Sequence, residues 1–300
     1  MNIKKFKKDY GGYIYVLPVL LGILFFTIVP MSVSLVYSLH DYNPLSATEQ
    51  LTNFGLQNYK KIFTTDWKSV SRSLFLTFRY AILTVSTSLV GSYCLALFLN
   101  QKRRGVKVFR VLYYLPCLIP AVAGSLLWKD ITRVNSGYLN LVLEALGLPT
   151  YTFYEDPATV LPTILITGIV GWGGNTIMWL AQMKNIPESL YEAADIDGAN
   201  FLQKLFKITV PMTTPMIFYL LITGIIGALQ VFGNFYALRN GICDEEINFI
   251  VLKIYDAAFA GAGGFSYACA LSWLLFVIIG LITLAVFKSG NKWVFYGEEM

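Results

Sequence analysis

Charge is what this sequence has least of. Only 14% of its 300 residues are Asp, Glu, Lys or Arg, where a soluble domain carries about 25%. So few charges cannot cover a water-facing surface, which excludes an ordinary soluble enzyme of this length. Histidine is scarcer still. His40 is the only one, so histidine-based triads and multi-histidine metal sites are excluded at the outset. The four cysteines, Cys94, Cys117, Cys243 and Cys269, show no Cys-x-x-Cys spacing, and three fall in apolar blocks. That argues against a metal site or a disulfide framework. No Gly-x-x-x-x-Gly-Lys-Ser/Thr loop is present to cradle nucleotide phosphates.

What the chain does have is apolar residues, 56% of the total, with a mean hydropathy of +0.58. They sit in blocks of about 20, enough helix to cross a hydrocarbon core about 30 Å thick. Six spans are expected, over about 13–37, 80–99, 111–128, 160–183, 212–235 and 267–287. The fold class is therefore an all-α membrane protein with six transmembrane helices. No soluble domain, linker or short repeat interrupts residues 1–300, which read as a single transmembrane domain. The first block lacks a small-residue cleavage site and is too long for a signal-peptide core, so it is expected to be retained. Pro18 and Pro30 are expected to kink it.

The net charge of +5 does not point to nucleic acid, because the basic residues lie mainly between apolar blocks and there report topology. Lys4, Lys5, Lys7 and Lys8 precede the first span. Lys102, Arg103, Arg104, Lys107 and Arg110 follow the second, and Lys184, Lys204 and Lys207 follow the fourth. With Lys288 and Lys292 in the tail these make fourteen of the 23 basic residues. The bias predicts both termini in the cytoplasm, which needs an even number of spans. The basic cluster 102–107 reads as a membrane anchor able to touch lipid headgroups, and Arg79 as an interfacial residue just before the second block. In the outer segments, Gly137–Gly147 and 53–63 read as short interfacial helices.

One loop is unlike the others. Residues 185–211 read Asn-Ile-Pro-Glu-Ser-Leu-Tyr-Glu-Ala-Ala-Asp-Ile-Asp-Gly-Ala-Asn-Phe-Leu-Gln-Lys-Leu-Phe-Lys-Ile-Thr-Val-Pro. Pro187 suits a first helical turn, and Glu188 and Glu192 favour its positive end. Ala193 and Ala194 leave room for another surface. Asp197-Gly198 predicts a turn with the glycine in a left-handed cap. Asn200 is placed to cap a second helix over 201–210, with Pro211 expected to end it.

At Glu192-Ala193-Ala194, Asp197-Gly198-Ala199, Ile208 and Pro211 the chain resembles the EAA loop of ABC importer permeases. The likeness continues through Tyr15-Val-Leu-Pro18, Gln57-Asn-Tyr59, Tyr114-Leu-Pro116, Gly137-Tyr-Leu-Asn140 and Trp293-Val-Phe-Tyr296. It points to the carbohydrate branch (maltose, glycerol-phosphate and multiple-sugar type), as the larger subunit of a heterodimeric pair. The resemblance implies a type I ABC importer architecture in a bacterial or archaeal cytoplasmic membrane. It implies that Glu192, Ala193, Ala194, Asp197 and Gly198 contact a cytoplasmic ATPase. It also implies the partners: a second homologous permease, two ATPase subunits that bind ATP and Mg, and an extracytoplasmic solute-binding protein delivering a sugar or oligosaccharide. No cofactor is expected on this chain. Where the family has Thr-x-Gly-Gly-Pro, this chain has Leu238-Arg-Asn-Gly-Ile-Cys-Asp-Glu-Glu246, so its outer docking loop is expected to differ.

A sugar pathway needs hydrogen-bonding groups inside the bundle, because hydroxyls stripped of water must be repaired. The fourth span offers Gly171-Trp172-Gly173-Gly174-Asn175-Thr176, and the fifth Gln230 and Asn234. Gly171, Trp172, Asn175, Gln230 and Asn234 are the substrate-binding candidates, with Gln230 and Asn234 expected on one helical face. The bland alternative is that the glycines serve helix packing and the amides bond a neighbouring helix. No span holds Asp, Glu or His, which disfavours an ion-coupled secondary transporter. A membrane enzyme and a channel fit less well, and a glycerol phosphodiester importer is the nearer alternative.

Overall fold

The computed structural model describes residues 13, 15–42, 44, 51–101, 104–261 and 264–295. Lys4, Lys5, Lys7, Lys8, Lys102, Arg103 and Tyr296, which entered the topology and resemblance arguments, lie outside the described residues. Among the described residues the structure is helical, with one isolated antiparallel bridge between Asp41 and Thr52.

The helices, in order, are α1 Tyr15–Ser38, α2 Gln57–Phe63, α3 Trp67–Leu99, α4 Val106–Leu118, α5 Ala121–Ile131, α6 Tyr138–Ala145, α7 Val160–Lys184, α8 Glu188–Ile196, α9 Phe201–Leu229, α10 Gly233–Leu238, α11 Ile250–Phe259 and α12 Phe265–Gly290. Five are long and apolar enough to span a bilayer: α1, α3, α7, α9 and α12. The sixth expected span is not one straight helix. It is the pair α4 and α5, bent by 100°. Pro116 sits in a 3-10 turn, and Ile119, which precedes Pro120, is extended with φ −75° and ψ 126°, as the clash with a following proline ring demands.

The burial pattern of α3 explains why these helices need lipid. Its buried positions, Val70, Ser73, Thr77, Tyr80, Ala81, Val85, Ser92, Ala96 and Leu99, repeat at helical spacing and include several hydroxyls. The large side chains Phe75, Ile82 and Val90 are exposed, each about two-thirds accessible. A soluble helix buries its large apolar face. Here small and hydroxylated residues face inward and let helices approach closely, as in membrane bundles. Helix α3 also starts earlier than expected, so Arg79 lies within it and Arg72 pairs with Glu245 at 2.9 Å.

The chain divides into two compact units, Met1–Val70 with Lys253–Val277, and Ser71–Leu252 with Ile278–Met300. In the first, Asn58 Nδ2 donates to the carbonyls of Ser38 (3.1 Å) and His40 (3.2 Å), closing the chain leaving α1. His40 is a loop residue bonded to the Val36 carbonyl. In the second, Ala96, Leu99, Trp179, Leu180, Met183 and Leu220 join α3, α7 and α9 in one core. Arg110 caps the end of α3 by donating to the Leu99 carbonyl, where the helix dipole favours a cation. Short helices form at both expected places, as α2 and α6, and Gly147 follows α6 with φ +70°.

Two expectations for the fifth span are overturned. Pro211 does not end the helix that begins at Phe201. A π turn over Leu205–Thr209, in which the Val210 N–H reaches back to the Leu205 carbonyl, widens the helix just before the proline. The wider turn relieves the clash a proline ring makes with the preceding turn. The same device precedes Pro30 in α1, with a π turn over Leu24–Ile28. Nor does the fifth span run to residue 235. It stops at Leu229, and Phe232, with φ −140° and ψ −72°, separates α9 from α10.

Candidate functional site

The loop 185–211 folds into a stiff elbow. Pro187 is the N-cap of α8 and Glu188 occupies its first turn. Gly198 has φ +71°, a conformation that costs most other residues about 1–2 kcal/mol. Its N–H donates to the Asp195 carbonyl (3.1 Å) while Ala199 N–H donates to the Ala194 carbonyl (2.9 Å). These paired bonds form a Schellman cap. Two residues on, Asn200 and Gln203 exchange bonds of 2.9 and 2.7 Å in a capping box that starts α9. Lys204 of α9 pairs with Asp195 of α8. The Tyr191 hydroxyl bonds the Thr209 hydroxyl at 2.9 Å.

The coupling candidates sit together at the tip of this elbow. Glu192, Ala193, Asp197 and Gly198 are exposed, and Ala194 is half-buried. Around them Leu190, Ile196, Phe201, Leu202 and Phe206 are exposed apolar side chains, Ile196 at 88%. Large exposed apolar patches mark contact surfaces. The sequence pointed to the small and acidic residues of this surface but not to its apolar rim.

The substrate candidates are not brought together. A cleft of about 210 Å³ opens between α3, α7 and α9. Its polar lining is Tyr80, Thr84, Ser88, Asn175 and Thr223, with Gly224 and Gly227 along one wall. Of the five candidates only Asn175 lines it, its Nδ2 donating to Ser88 Oγ at 3.1 Å. Trp172 packs instead on Gly91, where a Cβ would lie 1.9 Å from the indole ring. Gly173 likewise packs on α4, a Cβ there falling 2.7 Å from the Tyr113 carbonyl. Gly171 lies in a 3-10 turn, Ile169–Trp172, and Tyr113 donates to the Ile169 carbonyl at 2.8 Å.

Gln230 and Asn234 do not share a helical face, because the break at Phe232 lies between them. Gly233 sits where a Cβ would be 3.1 Å from Val122 of α5, so the break accommodates packing between α10 and α5. The lining residues that sequence reasoning missed, Thr84, Ser88 and Thr223, are common helix-surface hydroxyls. For Thr84 and Ser88 the one sequence signal is a hydroxyl repeating every four residues along α3.

In the segment 238–246, Asp244 Oδ1 accepts from the N–H groups of Asn240 (2.9 Å) and Gly241 (3.1 Å), and Asn240 Nδ2 donates to the Tyr154 carbonyl. Burial raises the Cys243 thiol above its ordinary value, and the carboxylates of Glu246, Asp156, Asp244 and Glu155 push it the same way. The sequence departure at 238–246 is therefore an ordered turn.

Long outward-facing apolar helices, an uncharged cleft between three of them and a capped elbow define a multi-pass membrane transport protein. The chain belongs to the family of binding-protein-dependent transport system inner membrane components, which matches residues 87–290. It is 35% identical to the probable ABC transporter permease protein YesP of Bacillus subtilis (strain 168), over 98% of this chain and 94% of that one. It is 28% identical to the trehalose/maltose transport system permease protein MalF of Thermococcus litoralis, over 96% of each chain. Its fold matches a chain of a bacterial alginate ABC transporter solved in complex with an alginate pentasaccharide-bound periplasmic protein. The TM-score there is 0.85 at 24% identity, over 96% of each chain. The chain is thus a non-catalytic permease subunit of an ABC importer, resident in the membrane.

Proposed function

We propose that this subunit imports a sugar or oligosaccharide as half of a heterodimeric pathway, and that the elbow 185–211 couples it to cytoplasmic ATPases. The observation that carries the reading is the elbow. Its exposed Glu192-Ala193-Ala194 edge is held between a Schellman cap and a capping box and ringed by apolar side chains. A surface so rigid and so apolar is built to be pushed by another protein. In this reading Glu192, Ala193, Ala194, Asp197 and Gly198 contact the ATPase, which binds ATP and Mg itself. The loop and both termini then lie in the cytoplasm, and the whole chain, 1–300, forms one permease domain.

The cleft supports a neutral hydroxylated cargo. Its polar lining is hydroxyls and one amide, with no charged side chain. Such a lining exchanges hydrogen bonds with a sugar, whereas an ion would need compensating charge. Two similar proteins are named for sugar or oligosaccharide transport, and one was solved with a periplasmic binding protein. A second permease, two ATPases and a solute-binding protein complete the importer. Asn175 touches cargo in this scheme, Gly171 and Trp172 shape the fourth span behind it, and Gln230 and Asn234 lie outside the cleft lining, Gln230 just past the fifth span and Asn234 in α10. Copurifying the chain with its companion subunits and screening ATP-dependent uptake of labelled sugars tests the reading. Uptake of at least one sugar is expected, and uptake confined to glycerol phosphodiesters would contradict it.

A further inference from the structure

The elbow is tied to the cleft by hydrogen bonds and one aromatic contact. Tyr191 on α8 bonds Thr209 in the π turn of α9 at 2.9 Å. One turn on, Thr213 Oγ1 donates to the Thr209 carbonyl at 2.9 Å and meets the Tyr93 hydroxyl of α3 at 3.2 Å. Either hydroxyl can be the donor between Thr213 and Tyr93. Tyr93 stands edge-on to Trp179 of α7, with ring centroids 4.9 Å apart. Trp179 Nε1 donates to Ser92 Oγ, the residue beside Tyr93, at 2.9 Å. Ser92 Oγ donates in turn to the Ser88 carbonyl, and Ser88 Oγ accepts from Asn175 in the cleft.

The two central hydroxyls are withdrawn from water. Thr213 is 0% exposed and Thr209 is 7% exposed. In such surroundings each bond is strengthened, and a lost partner leaves a stranded polar group. The prolines add to the network. Pro215 offers no N–H to the Pro211 carbonyl, and Thr214 Oγ1 supplies the donor instead at 2.7 Å. The Phe295 N–H of the tail donates to that same Thr214 oxygen at 2.8 Å, and Gln182 of α7 donates to the Met212 carbonyl at 3.2 Å. The base of the fifth span is therefore held from the elbow, from α3, from α7 and from the tail, all within one compact unit.

We infer that Tyr191, Thr209, Thr213 and Tyr93 are positioning residues: a buried hydroxyl relay that carries displacement of the elbow into α3 and α9 and so opens the cleft. None of the four lines the cleft. They make a push on α8 move α9 and α3 together rather than slide α8 over the base of the bundle. The inference rests on the coupling reading above, and its test separates the two.

The test uses the complete importer in lipid nanodiscs. The native cysteines are replaced, and Thr223→Cys in the cleft serves as reporter for a water-soluble maleimide. With ATP, Mg and vanadate the parent complex is expected to label faster as the cleft opens outward. Tyr191→Phe and Thr209→Val each remove one hydroxyl with little change of shape. Each should cut that ATP-dependent rise about five- to tenfold, the low end of a typical coupling between sites. The double variant should be no worse than either single one, because both break the same bond. Thr209→Ser restores the hydroxyl and should restore the response. Copurification of the ATPases and the melting temperature are followed in parallel, since a residue of merely structural worth shifts stability without moving the response. An unchanged response in both single variants, or additive losses in the double one, would overturn the relay. A parent complex that does not respond to ATP at all takes down the coupling reading and the relay with it.

Discussion

Glycines separate what was legible from what was not. Gly198 was legible because its requirement is local: an Asp-Gly pair after a short helix predicts a left-handed cap, and φ is +71°. Gly91 was not, because its requirement is Trp172, eighty-one positions away, whose ring would lie 1.9 Å from a Cβ. Gly91→Ala should lower the melting temperature of the detergent-solubilised protein by the several degrees that an overpacking cost of about 1–3 kcal/mol implies. Gly91→Ala with Trp172→Leu should recover part of that loss, which thermal unfolding followed by size-exclusion fluorescence reads directly. Asn175 is the substrate candidate that lies in the cleft. Asn175→Ala with Ser88→Ala is expected to weaken uptake by one to two orders of magnitude, since two buried contacts are worth about 1–3 kcal/mol together at 1.4 kcal/mol per decade. Uptake assays across a sugar concentration series would show it. A double Gln230→Ala, Asn234→Ala variant, outside the cleft lining, should show the smaller effect.

At the scale of elements, long periodic apolar segments were read well and their interruptions were not. The spans α1, α7 and α12 fall within a few residues of expectation because twenty apolar residues admit one solution in a bilayer. The 100° bend between α4 and α5 was missed although Pro116 and Pro120 were in plain view. Apolar content masks a break in the backbone, because both halves remain membrane-compatible. The opposite error was made at Pro211, where a π turn lets the helix continue. Proline marks a disturbance, and the neighbouring turns decide whether it becomes a bend or a bulge. The elbow, by contrast, carried its own signals in Gly198 and Asn200. Gly198→Val should splay α8 from α9 at a cost of about 1–2 kcal/mol, reducing ATP-driven uptake while membrane levels stay near wild type. Gly198→Asn, which tolerates positive φ, should retain most of the uptake. Immunoblotting of membranes beside transport assays separates these outcomes.

At the scale of the whole molecule, the sequence revealed a membrane protein through what its surface lacks, and the structure shows the converse in large apolar side chains turned outward. The family match over residues 87–290 and the likeness in fold account for that architecture. The lysine and arginine counts predict an orientation, and that prediction is testable residue by residue. In a cysteine-free background, a cysteine at position 200 should stay unlabelled by an impermeant maleimide in intact cells and label in inverted vesicles. A cysteine at position 241, in the exposed turn 238–246, should do the reverse.

The central claim is that the elbow transmits ATP-driven force, and a charge reversal at its exposed tip tests it most directly. Glu192 sits in a nine-residue helix, Glu188–Ile196, on the surface proposed to dock the ATPase. A lysine there opposes the acidic character of that surface and any complementary contact on the partner. The measurement is ATP-dependent sugar uptake by Glu192→Lys in reconstituted complexes, beside the amount of chain inserted in the membrane. The account predicts wild-type insertion with uptake reduced at least a hundredfold; uptake at the wild-type rate would contradict it.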